Sequence, residues 1–122
     1  MPPFGIGRAA RVVRALPAST RISSPPLVLR PGDRVEVHEA SDEWPDFVWV
    51  TTARGERGWV PRACLDGAGA RARAVRGYDT AVVSPRVGET VVAGDRVEGG
   101  WVWCRDAEGN EGWFPVDYLA PS

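Results

Sequence analysis

The sequence predicts an all-β chain, with two similar five-stranded barrels in tandem joined by a short Gly/Ala connection. Three observations carry that expectation. One segment is written twice, 54 residues apart: Phe47-Val48-Trp49-Val50, Arg54-Gly55, Gly58-Trp59-Val60-Pro61 and Leu65 answer to Trp101-Val102-Trp103-Cys104, Glu108-Gly109, Gly112-Trp113-Phe114-Pro115 and Leu119. Apolar residues come in short alternating runs, with no sustained stripe of helical period. Fourteen glycines and eleven prolines among 122 residues punctuate those runs as turns do. A repeat covering about half of the chain marks two structural units, each of which buries only about 60% of its unfolded surface.

Each element has a local reason. Residues 1–9 read as a loose tail, and the first domain is expected over 10–66. It opens with a strand at Arg11-Val12-Val13-Arg14, followed by a Pro- and Ser-rich loop from Pro17 to Pro26. Leu27-Val28-Leu29 precedes a turn at Arg30-Pro31-Gly32-Asp33, and Val35-Glu36-Val37-His38 alternates as a strand should. Strands at Phe47–Thr52 and Trp59–Pro61 close around Gly55. Residues 67–70 have linker composition. The second domain, 71–120, repeats the plan: a strand at Arg73-Ala74-Val75, a shorter first loop to Ser84-Pro85, a turn at Gly88-Glu89, a strand at Thr90–Ala93, a loop over Asp95–Gly100, and the hairpin of Trp101–Arg105 with Trp113–Pro115.

The hairpins can be read more closely. Trp49 and Trp59 are symmetric about Arg54, and Trp103 and Trp113 about Glu108, with Gly55 and Gly109 one residue beyond each centre. That spacing suits a three-residue loop whose last member takes positive φ, a type I turn with a G1 bulge, and sets the two indoles opposite each other. Alternation then places Trp101, Trp103, Trp113 and Pro115 on one face, with Val102, Cys104 and Phe114 in the core. In the first copy Phe47, Trp49, Trp59 and Pro61 point outward, while Val48, Val50 and Val60 point inward. Two readings of the aromatic faces stand side by side: cross-strand stabilisation worth about 0.2–1 kcal/mol per pair, and an exposed platform for a ligand.

Charge and chemistry narrow the function classes. The net charge is −1, with fifteen arginines and no lysine. Residues 1–26 carry four arginines and no acid, whereas 27–66 sum to −3 and 67–122 to −2. Both repeats lean acidic, which argues against nucleic acid, since small barrels that bind it show a basic face; the N-terminal arginines read as a solvated tail. Cys64 and Cys104 are too few for a disulfide framework, and Cys104 falls on an inward strand position. No secretory leader or membrane span is apparent at the start of the sequence, so a cytoplasmic location without a membrane partner is the expectation. The only histidine, His38, alternates with Glu36 on a charged strand and reads as solvated. Neither a nucleophile–base pair nor metal-ligand spacing is visible, so the chain is expected to be no enzyme and to hold no cofactor or metal.

Ala74-Val75-Arg76-Gly77-Tyr78 is similar to the ALYDY segment of SH3 domains, Gly100-Trp101 to the start of that family's tryptophan strand, and Gly112-Trp113-Phe114-Pro115-Val116-Asp117-Tyr118-Leu119 to its closing signature. The doubled Gly-Trp-[Val/Phe]-Pro, together with Glu43-Trp44-Pro45, resembles small bacterial proteins of tandem variant SH3 domains, over roughly residues 10–120. The resemblance implies an adaptor that binds a Pro-containing peptide in an aromatic groove. The second copy keeps that groove at Tyr78, Trp101, Pro115 and Tyr118, flanked by Trp103 and Trp113, with Asp79, Asp95 or Glu98 to pair with a basic ligand residue. It departs from the family at Arg76 and Gly77. The first copy matches poorly, with Leu16, Phe47 and Cys64 where the family has aromatic groove residues, and only Pro61 kept; Trp44, Phe47, Trp49, Trp59 and Pro61 form a secondary aromatic surface. Monomer and homodimer both remain open. Two alternatives stand beside peptide binding: a structural or self-associating module that consumes its tryptophan faces, and stacking of the tryptophans on glycans, which would need an extracellular location.

Overall fold

The computed structural model describes residues 7–67 and 69–122. Expectations for residues 1–6 and for position 68 lie outside the described residues. Strands dominate, and the only helical elements among the described residues are two single 3-10 turns, Arg62–Cys64 and Val116–Tyr118. No helix among them is long and apolar enough to cross a membrane.

Among the described residues twelve strands form three antiparallel sheets: β1 (Arg8–Val12), β2 (Val28–Leu29), β3 (Arg34–Ala40), β4 (Phe47–Thr51), β5 (Arg57–Pro61), β6 (Leu65–Asp66), β7 (Arg71–Ala74), β8 (Tyr78–Asp79), β9 (Thr90–Glu98), β10 (Trp101–Arg105), β11 (Glu111–Pro115) and β12 (Leu119–Pro121). Their orders are β5-β4-β3-β7-β6, β11-β10-β9-β1-β12, and the two-stranded β2-β8. Both five-stranded sheets are open.

The strand order crosses between the repeats. β1, the first strand of the first copy, lies between β9 and β12 of the second: Ala10 faces Val91 and Pro121, and Arg11 faces Thr90 and Ala120. β7, which would open the second copy, lies between β3 and β6 of the first, with Arg73 opposite Arg34 and Asp66. The compact units follow the sheets: Ile22–Ala81 forms one, and Met1–Arg21 with Val82–Ser122 forms the other. The contiguous division at 10–66 and 71–120 is therefore not the one the backbone makes. β6 and β7, on either side of the expected linker, pair antiparallel with each other, and Arg8 and Ala9, expected in the tail, belong to β1.

The two exchanged strands are held identically. The amide of Val12 donates to the Glu89 carbonyl at 2.8 Å, and Gly88 N–H donates back to Val12 at 2.8 Å. Ala74 N–H donates to Asp33 at 2.8 Å, and Gly32 N–H to Ala74 at 2.7 Å. Val13 N–H then reaches the Tyr118 carbonyl and Val75 N–H the Cys64 carbonyl, each at 2.8 Å. Gly32 and Gly88 each take φ of +93° in the turns that receive the incoming strands, a conformation open to glycine and strained for other residues.

The core of the split unit gathers Ala10 and Val12 of β1 with Val91, Ala93, Val102, Cys104, Phe114 and Tyr118. Here the inward positions expected on β10 and β11 hold: Val102 and Phe114 are fully buried. Strand β9 runs to Glu98 where a loop over Asp95–Gly100 was expected. Gly99 and Gly100, both at positive φ, make the two-residue turn that lets it continue and pair Glu98 with Trp101. In the other unit Val48, Val50 and Val60 are buried as expected. There a buried hydroxyl fixes the strand-poor segment before β2: Thr80 Oγ1 donates to the Leu27 carbonyl at 2.9 Å, accepts from Leu27 N–H at 2.7 Å, and lies 3.2 Å from Ser23 Oγ.

Cross-strand NMR contacts from Ala10 to Val91, and from Arg73 to Arg34, should appear in the folded chain. Contacts from Val12 to Gly32 in their place would restore the contiguous topology. Thr80→Val, which keeps volume but removes the hydroxyl, should lower unfolding free energy by about 1–3 kcal/mol in urea titration.

Candidate functional site

The residues singled out for ligand contact lie mostly on the two hairpins, whose geometry is the part of the fold most directly written in sequence. Trp49 faces Trp59 and Trp103 faces Trp113. Their rings meet edge to face, with centroids 5.1 and 5.2 Å apart, an arrangement worth about 0.5–1.5 kcal/mol beyond the area buried. Gly55 and Gly109 take φ of +86° and +88°. Gly55 N–H donates to the Thr52 carbonyl and Gly109 N–H to the Asp106 carbonyl, closing the expected three-residue loops. Asp106 Oδ1 accepts from Glu108 and Asn110 N–H, which stiffens the second loop.

The aromatic faces are far less open than an exposed platform requires. Trp101, Pro115, Trp113 and Tyr118 are buried in the split unit, as are Phe47, Trp49 and Pro61 in the other. Two arginines lie against rings of the split unit. The Arg96 guanidinium lies 5.5 Å from the centroids of both Trp103 and Trp113, and Arg14 lies 4.7 Å over the Tyr118 ring. Arg14 follows β1, so the strand exchange carries it to this ring. Leu16, also from the N-terminal segment, packs against the same core.

The expected groove set is divided. Trp101, Pro115 and Tyr118 belong to the split unit, where Trp101 pairs with Pro115. Tyr78 is buried in the unit Ile22–Ala81, where β8 pairs it with Leu29. Asp79 is there too, its Oδ1 accepting from Ala81 N–H at 2.8 Å. Glu98 sits at the end of β9, half-buried, across from Trp101. Trp44 is half-buried, its backbone N–H held by the Ser41 hydroxyl.

Trp103 is the half-buried exception on the β10–β11 face. Its indole N–H donates to Glu111 Oε1 at 3.0 Å, so ring and carboxylate are held in one orientation. In the other unit the accessible member of the pair is Trp59, from the second strand of its hairpin. Sequence alternation found these rings but missed Arg96. Arg96 lies in a bulged stretch of β9, where three residues, Gly94–Arg96, stand opposite the single residue Trp103, and nothing in the alternation signals that bulge.

His38 is exposed, with Nε2 2.9 Å from Thr51 Oγ1, as a solvated strand histidine should be. Among the described residues no group of three or more His, Cys, Asp or Glu is placed to hold a metal ion. Cys64 and Cys104 are buried and not joined in a disulfide. Burial pushes the Cys104 thiol up to about 12. Comparison with known protein families, characterised proteins and solved structures finds no match for the chain.

Because the folded Cys104 thiol keeps its proton to higher pH than the unfolded one, its share of stability is intact at neutral pH and lost as pH rises above the ordinary thiol value. Iodoacetamide at about pH 8 should leave it unmodified in the native chain and alkylate it in denaturant. Native-state labelling of Cys104 would show the core to be open.

Proposed function

We propose that the chain is a non-catalytic protein-interaction module of two SH3-like units, which takes an extended, Pro-containing peptide on the β9–β11 face of the split unit. The strand order in each sheet, with the doubled 3-10 turn after Pro61 and Pro115, supports the SH3-like reading. The observation that carries the ligand site is Trp103. Its ring stays accessible while Trp113 and Glu111 fix its orientation, so little side-chain entropy remains to be lost on binding. A proline ring stacks well on such an indole, and Glu98 and Glu111 give a basic ligand residue its partners. Arg96 already occupies the face as a guanidinium would. Contact therefore falls on the Trp103 rim, since Trp101, Pro115 and Tyr118 are buried.

A second reading has its own support: the burial of Trp49, Phe47, Trp101 and Trp113 favours aromatic faces that serve the fold itself, with a structural role for the module.

Binding of the full chain to an array of Pro-rich peptides separates the two. Trp103→Ala should weaken binding by about 30-fold, as an aromatic anchor does, while Trp59→Ala leaves it unchanged and the thermal midpoint shows both variants folded. Binding unaffected by Trp103→Ala would sink the assignment, and a wild-type chain that binds none of the peptides would leave the structural reading.

A further inference from the structure

We propose that the place between β9 and β12 is a strand-acceptor site that also takes β1 from a second copy of this chain, so that two chains complete each other's sheets. This rests on the strand pairing and not on the peptide-binding reading.

The site does not distinguish one first strand from the other by its bonds. Val12 and Ala74 make the same reciprocal pair of hydrogen bonds with a Gly at φ +93° and the acid after it. Both strands turn small residues inward, Ala10 and Val12 in one, Ala72 and Ala74 in the other. Both are basic, and both bodies that receive them are acidic: residues 82–122 sum to −4 and 22–66 to −3, against +4 for 1–21. Charge therefore favours insertion of such a strand whichever chain supplies it.

The tether permits exchange. Between β1 and β2, residues 13–27 contain no strand or helix, and most of them are exposed. A strand from a second copy would make the bonds that β1 already makes. What keeps β1 at home is its effective concentration at the acceptor, to which it is joined through residues 13–27 and then the unit Ile22–Ala81, on the order of millimolar for a flexible connection. Exchange in trans then grows with chain concentration, and a symmetric pair of swapped strands closes the assembly as a dimer.

Arg11 and Ala120 face each other across β1 and β12. Full-length Arg11→Cys with one affinity tag is mixed with full-length Ala120→Cys carrying another, at a series of concentrations up to about the millimolar effective value, then oxidised mildly. The expected result is a disulfide-linked species bearing both tags, its fraction falling about ten-fold on ten-fold dilution. The chain carrying both substitutions should close its disulfide within the monomer when dilute. If that double variant closes while the mixed single variants stay unlinked at every concentration, exchange between copies is overturned. If the double variant fails to close, the pairing on which the proposal stands is itself overturned.

Discussion

Four residues, 67–70, separate β6 from β7, and that length decides the topology of the molecule. A connection so short, carrying Gly67 and Gly69 at positive φ, returns the chain antiparallel to the strand it has just left. β7 thereby takes the place between β3 and β6, pairing Leu65 with Ala74 and Arg34 with Arg73. The first sheet is then complete without β1. The second sheet, having lost β7, has an open place between β9 and β12, and β1 fills it. One local hairpin thus dictates a pairing between residues more than a hundred positions apart, such as Ala10 with Pro121. Loop-closure entropy grows slowly with length, so the long-range pairing adds little cost beyond the sequential alternative.

This explains which parts of the structure were legible in the sequence. The hairpins were, because every determinant lies within a dozen residues: Gly55 and Gly109 set the turns, and alternation sets Trp49 against Trp59 and Val102 into the core. The existence of strands near residues 11 and 73 was also legible. Their partners were not, because Ala10 and Val12 offer the same pattern of small apolar and basic residues as Ala72 and Ala74. Periodicity reports that a strand has an inner face and is silent on which sheet that face completes. The residues expected to form one aromatic groove are divided between the units for the same reason. Tyr78 follows β7 and so is placed in one unit, while Trp101 and Tyr118 stand in the other.

One nonlocal signal lies in the distribution of charge. The four arginines of residues 1–21 face a remainder, 82–122, of charge −4, which makes the split unit neutral as a whole. Taken alone, such a cluster resembles a solvated arm. Taken with the surplus acid of the second repeat, it marks the segment as part of that repeat's fold. Arg14 shows how the match extends beyond net charge, since its guanidinium rests on the Tyr118 ring in a cation–π contact.

The exchange also ties the candidate binding face to the N-terminus. Trp103 stands on β10, β10 pairs with β9, and β9 pairs with β1. The opposite face of the same sheet buries Val102 and Cys104 against Ala10 and Val12. Loss of β1 would remove the strand that joins β9 to β12 and expose that core, so the orientation of Trp103 depends on a segment about ninety residues earlier in the chain. A tandem of self-contained units would let each copy hold or lose its ligand face independently. Here neither sheet is complete on its own repeat, and the Trp103 face stands on a sheet to which the first repeat supplies a strand.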